Sequence, residues 1–438
     1  MGADPDAPTG GTPEVAAAAP GLTRRALIAG AGALGAGAAV YALTRGVDDS
    51  PAGGGVATAT GGIVPFHGTH QAGIATPPQD RLLFGAFDVL PGVERAGVTD
   101  LLRAWTAASA VITRGRMLGE NDEPLAPTDD TGEAQGLSAS QLTITFGFGP
   151  TFFLADGVDR FGIAAKQPAA LTPLPAFPGD ALDPATSGGD IAVQVCANDP
   201  QVAFHALRNL TRIGKGTVGL RWSQLGFGRT SGTVTGEADR PGTPRNLMGY
   251  KDGTNNVDVG DDTAMRNAVW VGTTTTPSWL RNGTFLVSRR IRMHIEVWDR
   301  NSLSDQDRTF GRQKSSGAPI GGVREFDAVD LAARDAKGDL EVDEFAHIRL
   351  AAPSENDGAR LLRRGYSFTD GVDPRTAGLD AGLFFIAYMR DPTQFITVQQ
   401  RLATHDLLNE YIQHTGSALF AVPGGVAKGE WIGEGIFT

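Results

Sequence analysis

The chain has 438 residues, of which 41% are hydrophobic and 20% charged, so it is globular in composition and long enough for two packed subdomains. Its formal net charge of −11 argues against general nucleic-acid binding, which requires a basic face. The single cysteine, Cys196, excludes an intramolecular disulfide, a zinc cluster of cysteines and an iron–sulfur centre. Because Cys196 ends a strand-like run, we interpret it as a small buried side chain.

The first 62 residues have the pattern of an export signal followed by a linker. Residues 1–22 are polar, and Arg24 and Arg25 then precede a weakly apolar segment rich in Gly and Ala. Paired arginines before such a segment are typical of a twin-arginine signal, whose route carries proteins that are already folded. The segment is short and weakly apolar for a membrane span, although an uncleaved anchor is the alternative. Residues 44–62 resemble a flexible linker, and the cleavage site stays open.

The body of the chain begins with alternating strand and helix patterns. We predict a strand over 82–89, a helix over 98–112, a strand over 142–148 and a long loop over 164–189, which is rich in Pro, Ala and Gly. The helix is predicted from apolar residues at helical spacing, namely Leu101, Leu102, Trp105 and Ala108.

Two later segments repeat one pattern. Residues 193–200 and 384–392 each form a strand that ends in Asp-Pro and is followed by a helix. Asp199 and Asp391 can cap these helices, because proline suits the first helical position and aspartate the cap. Residues 285–298 similarly echo the first strand. This repetition predicts an α+β fold of two ferredoxin-like subdomains, with antiparallel sheets and helices on the outer faces. We place the boundaries at 1–62 for signal and linker, 63–235 for the N-terminal domain and 236–438 for the C-terminal domain.

One short segment carries the strongest functional signal. The run Gly249-Tyr250-Lys251-Asp252-Gly253 alone indicates only a turn. It gains specificity from His347 and from Arg363, which follows sixteen residues later and precedes a Gly-Tyr pair.

This combination resembles the dye-decolourising peroxidases, haem enzymes that activate hydrogen peroxide. Residues 65–71 are similar to the exported, iron-transport-associated subgroup, which includes deferrochelatase-like proteins. The resemblance covers residues 63–438. It implies paired α+β domains of the dimeric α+β barrel type, with haem b (iron protoporphyrin IX) held in the C-terminal half.

Haem iron in peroxidases usually takes an imidazole ligand, and seven histidines are available. Spacing alone does not choose among them. His67 and His70 could form a metal pair but have no evident third ligand nearby, His205 is expected to be partly exposed on a helix, and His294 is expected within a strand. The resemblance selects His347 as the proximal ligand of the iron.

The resemblance also assigns the distal groups. Asp252 would move the proton between the peroxide oxygens, and Arg363 would stabilise the negative charge on the departing oxygen. Arg364 is adjacent, so a shift of one residue is the alternative for this arginine. Gly249 and Gly253 would let the backbone approach the porphyrin without a Cβ clash. A carboxylate beside a guanidinium stays ionised at lower pH, so we expect activity in mildly acidic solution.

Three supporting roles have candidates. Arg290 and Arg292, on the same side of a strand, could bind the haem propionates, with a charge-blunted sheet edge as the alternative. The second ring nitrogen of the proximal histidine requires an acceptor, for which the candidates are Asp391, Asp406 and Glu410. Electron relay from bulky donors could use Tyr366, Tyr388 and Trp298, which are otherwise core aromatics.

We therefore expect a secreted peroxidase that uses hydrogen peroxide to oxidise bulky dyes and phenols. The alternatives are a protein that releases iron from haem for uptake and a non-catalytic haem carrier or sensor. The expected partners are hydrogen peroxide, a small reducing substrate and the twin-arginine export machinery, with no nucleic acid. The location would be extracellular, periplasmic or at the cell envelope, and a homo-oligomer is one alternative for its assembly.

Overall fold

The strands of the protein form a closed antiparallel barrel. The computed structural model describes residues 62–119, 123–228, 242–374 and 376–438. In these residues the strands are β1 (Arg81–Val89), β2 (Thr143–Phe148), β3 (Ile191–Ala197), β4 (Val218–Phe227), β5 (Thr284–Met293), β6 (Leu362–Arg363), β7 (Tyr366–Val372), β8 (Leu379–Met389) and β9 (Ile412–Val422). Their helices are α1 (Arg95–Ile112), α2 (Pro150–Phe153), α3 (Pro200–Ile213), α4 (Asp262–Ala268), α5 (Ile295–Trp298), α6 (Leu303–Phe310), α7 (His347–Leu350), α8 (Thr393–His405) and α9 (Glu434–Phe437). No helix within these ranges is long and apolar enough to cross a membrane.

Two ferredoxin-like units make up the barrel. The strands β1 to β4, with α1 and α3, follow the β-α-β-β-α-β order of such a unit. The second unit repeats this order with β5, α6, β8, α8 and β9, and the successive strands β6 and β7, which both pair with β8, together take the place of one strand. The spatial order is β9-β2-β3-β1-β4-β7-β8, and β5 pairs with both β8 and β9 to close the ring. The predicted α+β fold of paired ferredoxin-like units with antiparallel sheets is confirmed.

The two units meet at two narrow joins between strands. Phe227 of β4 pairs with Ser367 of β7, and Phe148 of β2 pairs with Ala421 of β9. The predicted signal and linker, up to residue 61, and the predicted boundary between residues 235 and 236 lie outside the described residues.

Side chains of β8 alternate between the inside and the outside of the barrel, as expected for a strand with two covered faces. Ile386 and Tyr388 pack with Phe84 of β1 in the interior. Ala387 and Met389 belong to the outer apolar cluster that includes α1 and α3. On β8, therefore, only side chains on the outer face can contact a site outside the barrel.

The predicted caps and the predicted loop agree with the structure. Asp199 accepts hydrogen bonds from the backbone N–H groups of Gln201 and Val202 at the start of α3. Asp391 accepts one from the N–H of Thr393 at the start of α8. Within the predicted loop the described elements are two short 3-10 turns, Ala164–Lys166 and Pro184–Thr186.

Two histidine predictions were wrong. His205 is only 1% exposed, because α3 turns this face toward the segment that carries Asp130, whose Oδ1 lies 2.7 Å from Nε2 of His205. His294 lies one residue beyond the end of β5 and precedes α5, so it is not within the strand. Cys196 is fully buried, as predicted.

Candidate active site

Asp252 and Arg363 form an ion pair at the wall of a cavity. Nη1 of Arg363 lies 2.9 Å from Oδ1 of Asp252, and the two side chains are 31% and 29% exposed. Asp252 belongs to the loop before α4, where its backbone N–H donates to the carbonyl of Pro244 at 2.9 Å. Both side chains line this cavity together with Gly253 and Leu383. A hydrogen-bond acceptor that can bind a proton thus lies beside a fixed cation.

The two glycines of the loop have backbone conformations that favour glycine. The φ angle is 85° at Gly249 and 128° at Gly253. A Cβ atom on Gly249 would also lie 2.7 Å from Cε of Lys314. The glycines therefore set the path of the loop that presents Asp252.

A buried carboxylate holds the same loop on both sides of Asp252. Lys251 forms an ion pair with Glu325, and Oγ1 of Thr254 donates to Oε1 of Glu325 at 3.0 Å. Burial opposes the charge of Glu325, yet the bonds from Lys251 and from threonine hydroxyls hold the pKa of Glu325 below its usual range. Sequence reasoning missed Glu325, because an isolated glutamate 73 residues after Asp252 carries no pattern.

His347 is the first residue of α7 and is oriented by a carboxylate. Its Nδ1 lies 2.6 Å from Oδ2 of Asp406, which is 2% exposed and also accepts the backbone N–H of Leu408 at 2.9 Å. A carboxylate accepts hydrogen bonds, so Nδ1 carries a proton, and in the neutral ring Nε2 then keeps its lone pair. Among the three acceptors considered from sequence, the structure selects Asp406.

Burial and nearby charges act on the pKa of His347 in opposite directions. Burial of the imidazole acts against its charge, but the carboxylate of Asp406 outweighs this and raises the pKa of His347. Arg363 lowers that pKa and Asp252 raises it, as charges of opposite sign do. Although protein atoms surround the ring, 32% of the His347 side chain is open. An imidazole that a carboxylate holds through Nδ1 fits an iron porphyrin, which would bind through Nε2.

The structure separates the two adjacent arginines. Arg363 points to Asp252, whereas Arg364 is 2% exposed and donates through Nη1 to the carbonyl of Thr76 at 2.5 Å. Its Nη2 donates to Oε1 of Gln79. Successive residues of an extended chain face opposite ways, so only Arg363 reaches the cavity.

Arg290 and Arg292 do lie on the same side of β5, but the structure does not bring them to the cavity of Asp252 and Arg363. Arg290 pairs with Asp370 at 2.8 Å and with Asp380 at 2.9 Å, and Arg292 pairs with Asp373. The guanidinium of Arg290 also lies 4.2 Å from the ring centroid of Phe368, an interior residue of the barrel. Protein carboxylates thus already neutralise both cations, and the predicted propionate role stays a prediction.

The aromatic candidates divide into two groups. Trp298 lies between Phe310 and Tyr411, with ring centroids 5.6 and 5.0 Å away, and Phe310 lies 6.2 Å from the ring of His347. Tyr411 is partly exposed. The other two tyrosines have their hydroxyls inside the barrel, near the thiol of Cys196 for Tyr366 and the side chain of Gln194 for Tyr388.

The His67 and His70 pair gains no support as a metal site. Nδ1 of His70 is 2.7 Å from the carbonyl of Asn282, and its ring stacks on Trp270 at 3.7 Å. Over the part of the chain that the structure describes, no cluster of three or more His, Cys, Asp or Glu side chains could hold a metal ion.

Comparison with known sequences defines the class. The family model described as Dyp-type peroxidase, N-terminal, matches residues 71–228, and that described as Dyp-type peroxidase, C-terminal, matches residues 243–427. The chain belongs to the Dyp-type peroxidase family. It is therefore a haem peroxidase, an oxidoreductase that uses hydrogen peroxide and a reducing substrate.

Among individual relatives, the chain is 37% identical over 381 residues to a deferrochelatase of Escherichia coli, which covers 85% of this chain and 86% of the relative. It is 40% identical to ferric DtpA from Streptomyces lividans, with a TM-score of 0.79 and coverage of 86% and 98%. A variant of DypB from Rhodococcus jostii in complex with heme, 20% identical with a TM-score of 0.56, shares the fold over 80% of this chain and 94% of that one.

Proposed function

We propose that this chain is an exported peroxidase that oxidises bulky organic donors, such as dyes and phenols, at the expense of hydrogen peroxide. We further propose that residues 236–438 form the domain that holds haem b. The observation that carries the proposal is the ion pair of Asp252 and Arg363, together with an imidazole that Asp406 holds through Nδ1. A haem carrier requires neither distal group, so their pairing favours peroxide chemistry.

Each residue has one task in this proposal. Haem, when bound through Nε2 of His347, supplies the iron that accepts oxidising equivalents from peroxide. Asp252 takes the proton from one peroxide oxygen and delivers it to the other, which leaves as water. Arg363 donates hydrogen bonds to the departing oxygen while negative charge grows on it. Gly253, whose backbone is in a conformation that favours glycine, lets the loop approach the porphyrin.

The test is the rate of reaction with peroxide in a stopped-flow spectrometer. Asp252→Asn and Arg363→Ala should each slow this step by about 100-fold or more, because each removes a group that acts as charge moves. Arg360→Ala is the matched control, since Arg360 is an exposed arginine of the same segment. Wild-type rates in both site variants, with haem bound, would reject the assigned mechanism.

Export is proposed from the sequence of the first 62 residues. Replacement of Arg24 and Arg25 by lysine should leave the protein in the cytoplasm, because the export machinery recognises the arginine pair. Cell fractionation with an antibody decides the matter. Equal export of the double-lysine variant would contradict a twin-arginine route.

A second function is the release of iron from haem, which the name of the deferrochelatase relative favours. The haem-loaded protein would be incubated with a reductant and an iron chelator, and the products separated by chromatography. Free porphyrin together with chelated iron supports this function. Intact haem throughout, at protein concentrations that turn over peroxide, rejects it.

A further inference from the structure

We propose that Asn256 is a positioning residue that holds Arg363 in register with Asp252. Its side chain contacts Arg363 through the backbone only. Nδ2 of Asn256 donates to the carbonyl of Arg363 at 2.8 Å, and Oδ1 of Asn256 accepts the N–H of Arg363 at 2.8 Å. One side-chain amide thus binds both polar groups of one backbone residue, 107 positions away.

Two bonds to one residue fix its orientation as well as its distance. Asparagine is suited to this, because it has a donor and an acceptor on adjacent atoms and matches the N–H and C=O of a single residue. Aspartate has no donor for the carbonyl, and alanine has neither group. Oδ1 also accepts the N–H of Val257 at 3.0 Å, so the amide is held in its own loop.

Arg363 requires such support because its strand is very short. β6 consists of Leu362 and Arg363, which pair with Tyr388 and Ala387 of β8. The side chain of Arg363 is 31% exposed. On the side of β6 that faces away from β8, the side chain of Asn256 binds the N–H and C=O of Arg363, as a neighbouring strand would otherwise do.

Asn256 lies four residues after Asp252 in the same loop. Glu325 anchors this loop through Lys251 and Thr254. One loop thus carries Asp252, the proposed proton-transfer group, and also binds the backbone of Arg363. The 2.9 Å contact between Arg363 and Asp252 therefore joins two residues that the same loop holds.

This inference rests on the proposed function, because the position of Arg363 affects the rate with peroxide only if Arg363 acts on peroxide. The variants are Asn256→Ala and Asn256→Asp, with Asn255→Ala as the matched control, since Asn255 is the exposed neighbour. We expect the rate with peroxide to fall on the order of 10- to 100-fold in both Asn256 variants, because small misplacements of a catalytic group have such costs. The Soret band, haem content and Asn255→Ala rate should stay at wild-type values.

A double-variant cycle separates positioning from a general structural defect. In an Arg363→Ala background, Asn256→Ala should cause no further slowing, because the group that it positions is gone. Additive slowing would mean that Asn256 acts elsewhere and would overturn the proposal. If Asn256→Ala does not fold, the isosteric Asn256→Asp carries the same cycle.

Hydrogen exchange provides a readout that does not depend on activity. In haem-free protein, the peptide that contains Arg363 should exchange faster in Asn256→Ala than in wild type, because the N–H of Arg363 loses its acceptor. Unchanged exchange overturns the proposal, whatever the kinetics.

The kinetics separate this proposal from the proposed function. If Asn256→Ala reacts with peroxide at the wild-type rate while Arg363→Ala reacts slowly, the positioning role is overturned and the proposed function stays intact. Wild-type rates for Asp252→Asn and Arg363→Ala would reject the proposed function instead, and exchange would still decide whether Asn256 holds Arg363.

Discussion

Nη1 of Arg363 lies 2.9 Å from Oδ1 of Asp252, although the two residues are 111 positions apart in the chain. Asp252 comes from the loop before α4 and Arg363 from the two-residue strand β6. The barrel brings these two segments to one cavity. Their separation in sequence conceals this proximity.

Asp406→Asn should raise the reduction potential of the bound haem by tens of millivolts. The carboxylate that accepts the Nδ1 proton of His347 makes the ligand more basic, and an amide in its place weakens this effect. Redox titration of the Soret band measures the change. Asp391→Asn is the control, because Asp391 caps α8 and does not contact His347. Equal shifts in both variants would contradict the assigned partner.

Trp298→Phe should slow the oxidation of bulky dyes and leave the reaction with peroxide unchanged. Trp298 connects Phe310, which contacts His347, with the partly exposed Tyr411, so it lies on a route from the haem site to the surface. We expect kcat for a dye too large for the cavity to fall about tenfold, equivalent to about 1.4 kcal/mol.

The matched control for this route is Trp222→Phe, since Trp222 packs against Phe84 inside the barrel. Steady-state kinetics with a bulky dye and with a small phenol would be compared for both variants. Equal losses with both donors, or an equal loss in Trp222→Phe, would exclude Trp298 as a specific relay.

Arg292→Met should lower the free energy of unfolding by about 3 kcal/mol, because it breaks a buried ion pair by removing the cation. Arg292 and its partner Asp373 are each 6% exposed. Chemical denaturation of the haem-free protein measures this loss. Titration with hemin tests the predicted propionate contact, and we expect affinity to be unchanged. A large loss of affinity without a loss of stability would instead support the propionate role.

The stability of the protein should fall as the pH drops below about 6.5, partly because of His414. Burial, together with the nearby charge of Arg289, lowers the pKa of His414 from 6.5 to about 3. Over this window the unfolded chain binds a proton that the folded protein does not, so acid favours unfolding. At about pH 4.5 the penalty reaches up to about 3 kcal/mol, at about 1.4 kcal/mol per pH unit.

His414→Gln should reduce this acid sensitivity, because glutamine has no proton to gain. Urea denaturation at about pH 7 and about pH 4.5 gives the difference for wild type and variant. His405→Gln is the control, since His405 is exposed at the end of α8. The same loss of stability on acidification in wild type and in His414→Gln would contradict the assignment.

The sequence predicted most elements and led us to propose Asp252, Arg363 and His347 as site residues, but it did not predict their supporting contacts. The Asp-Pro pattern gave the cap at Asp199, because capping is local. The choice of Asp406 over Asp391 and Glu410 required the structure, because all three follow β8 and only the fold decides which one approaches His347. Strand alternation placed Arg290 on the side of Arg292. It gave no sign of the aspartates in and just after β7 that neutralise these two arginines, and nothing local marked Glu325 as the anchor of the loop.

The backbone between Arg363 and Ser367 belongs to both units of the barrel. Arg363 faces Asp252, Arg364 donates to Thr76 and Gln79 of the N-terminal unit, and Ser367 pairs with Phe227. A gene fragment that encodes only the C-terminal unit would therefore lack the scaffold for its own distal arm.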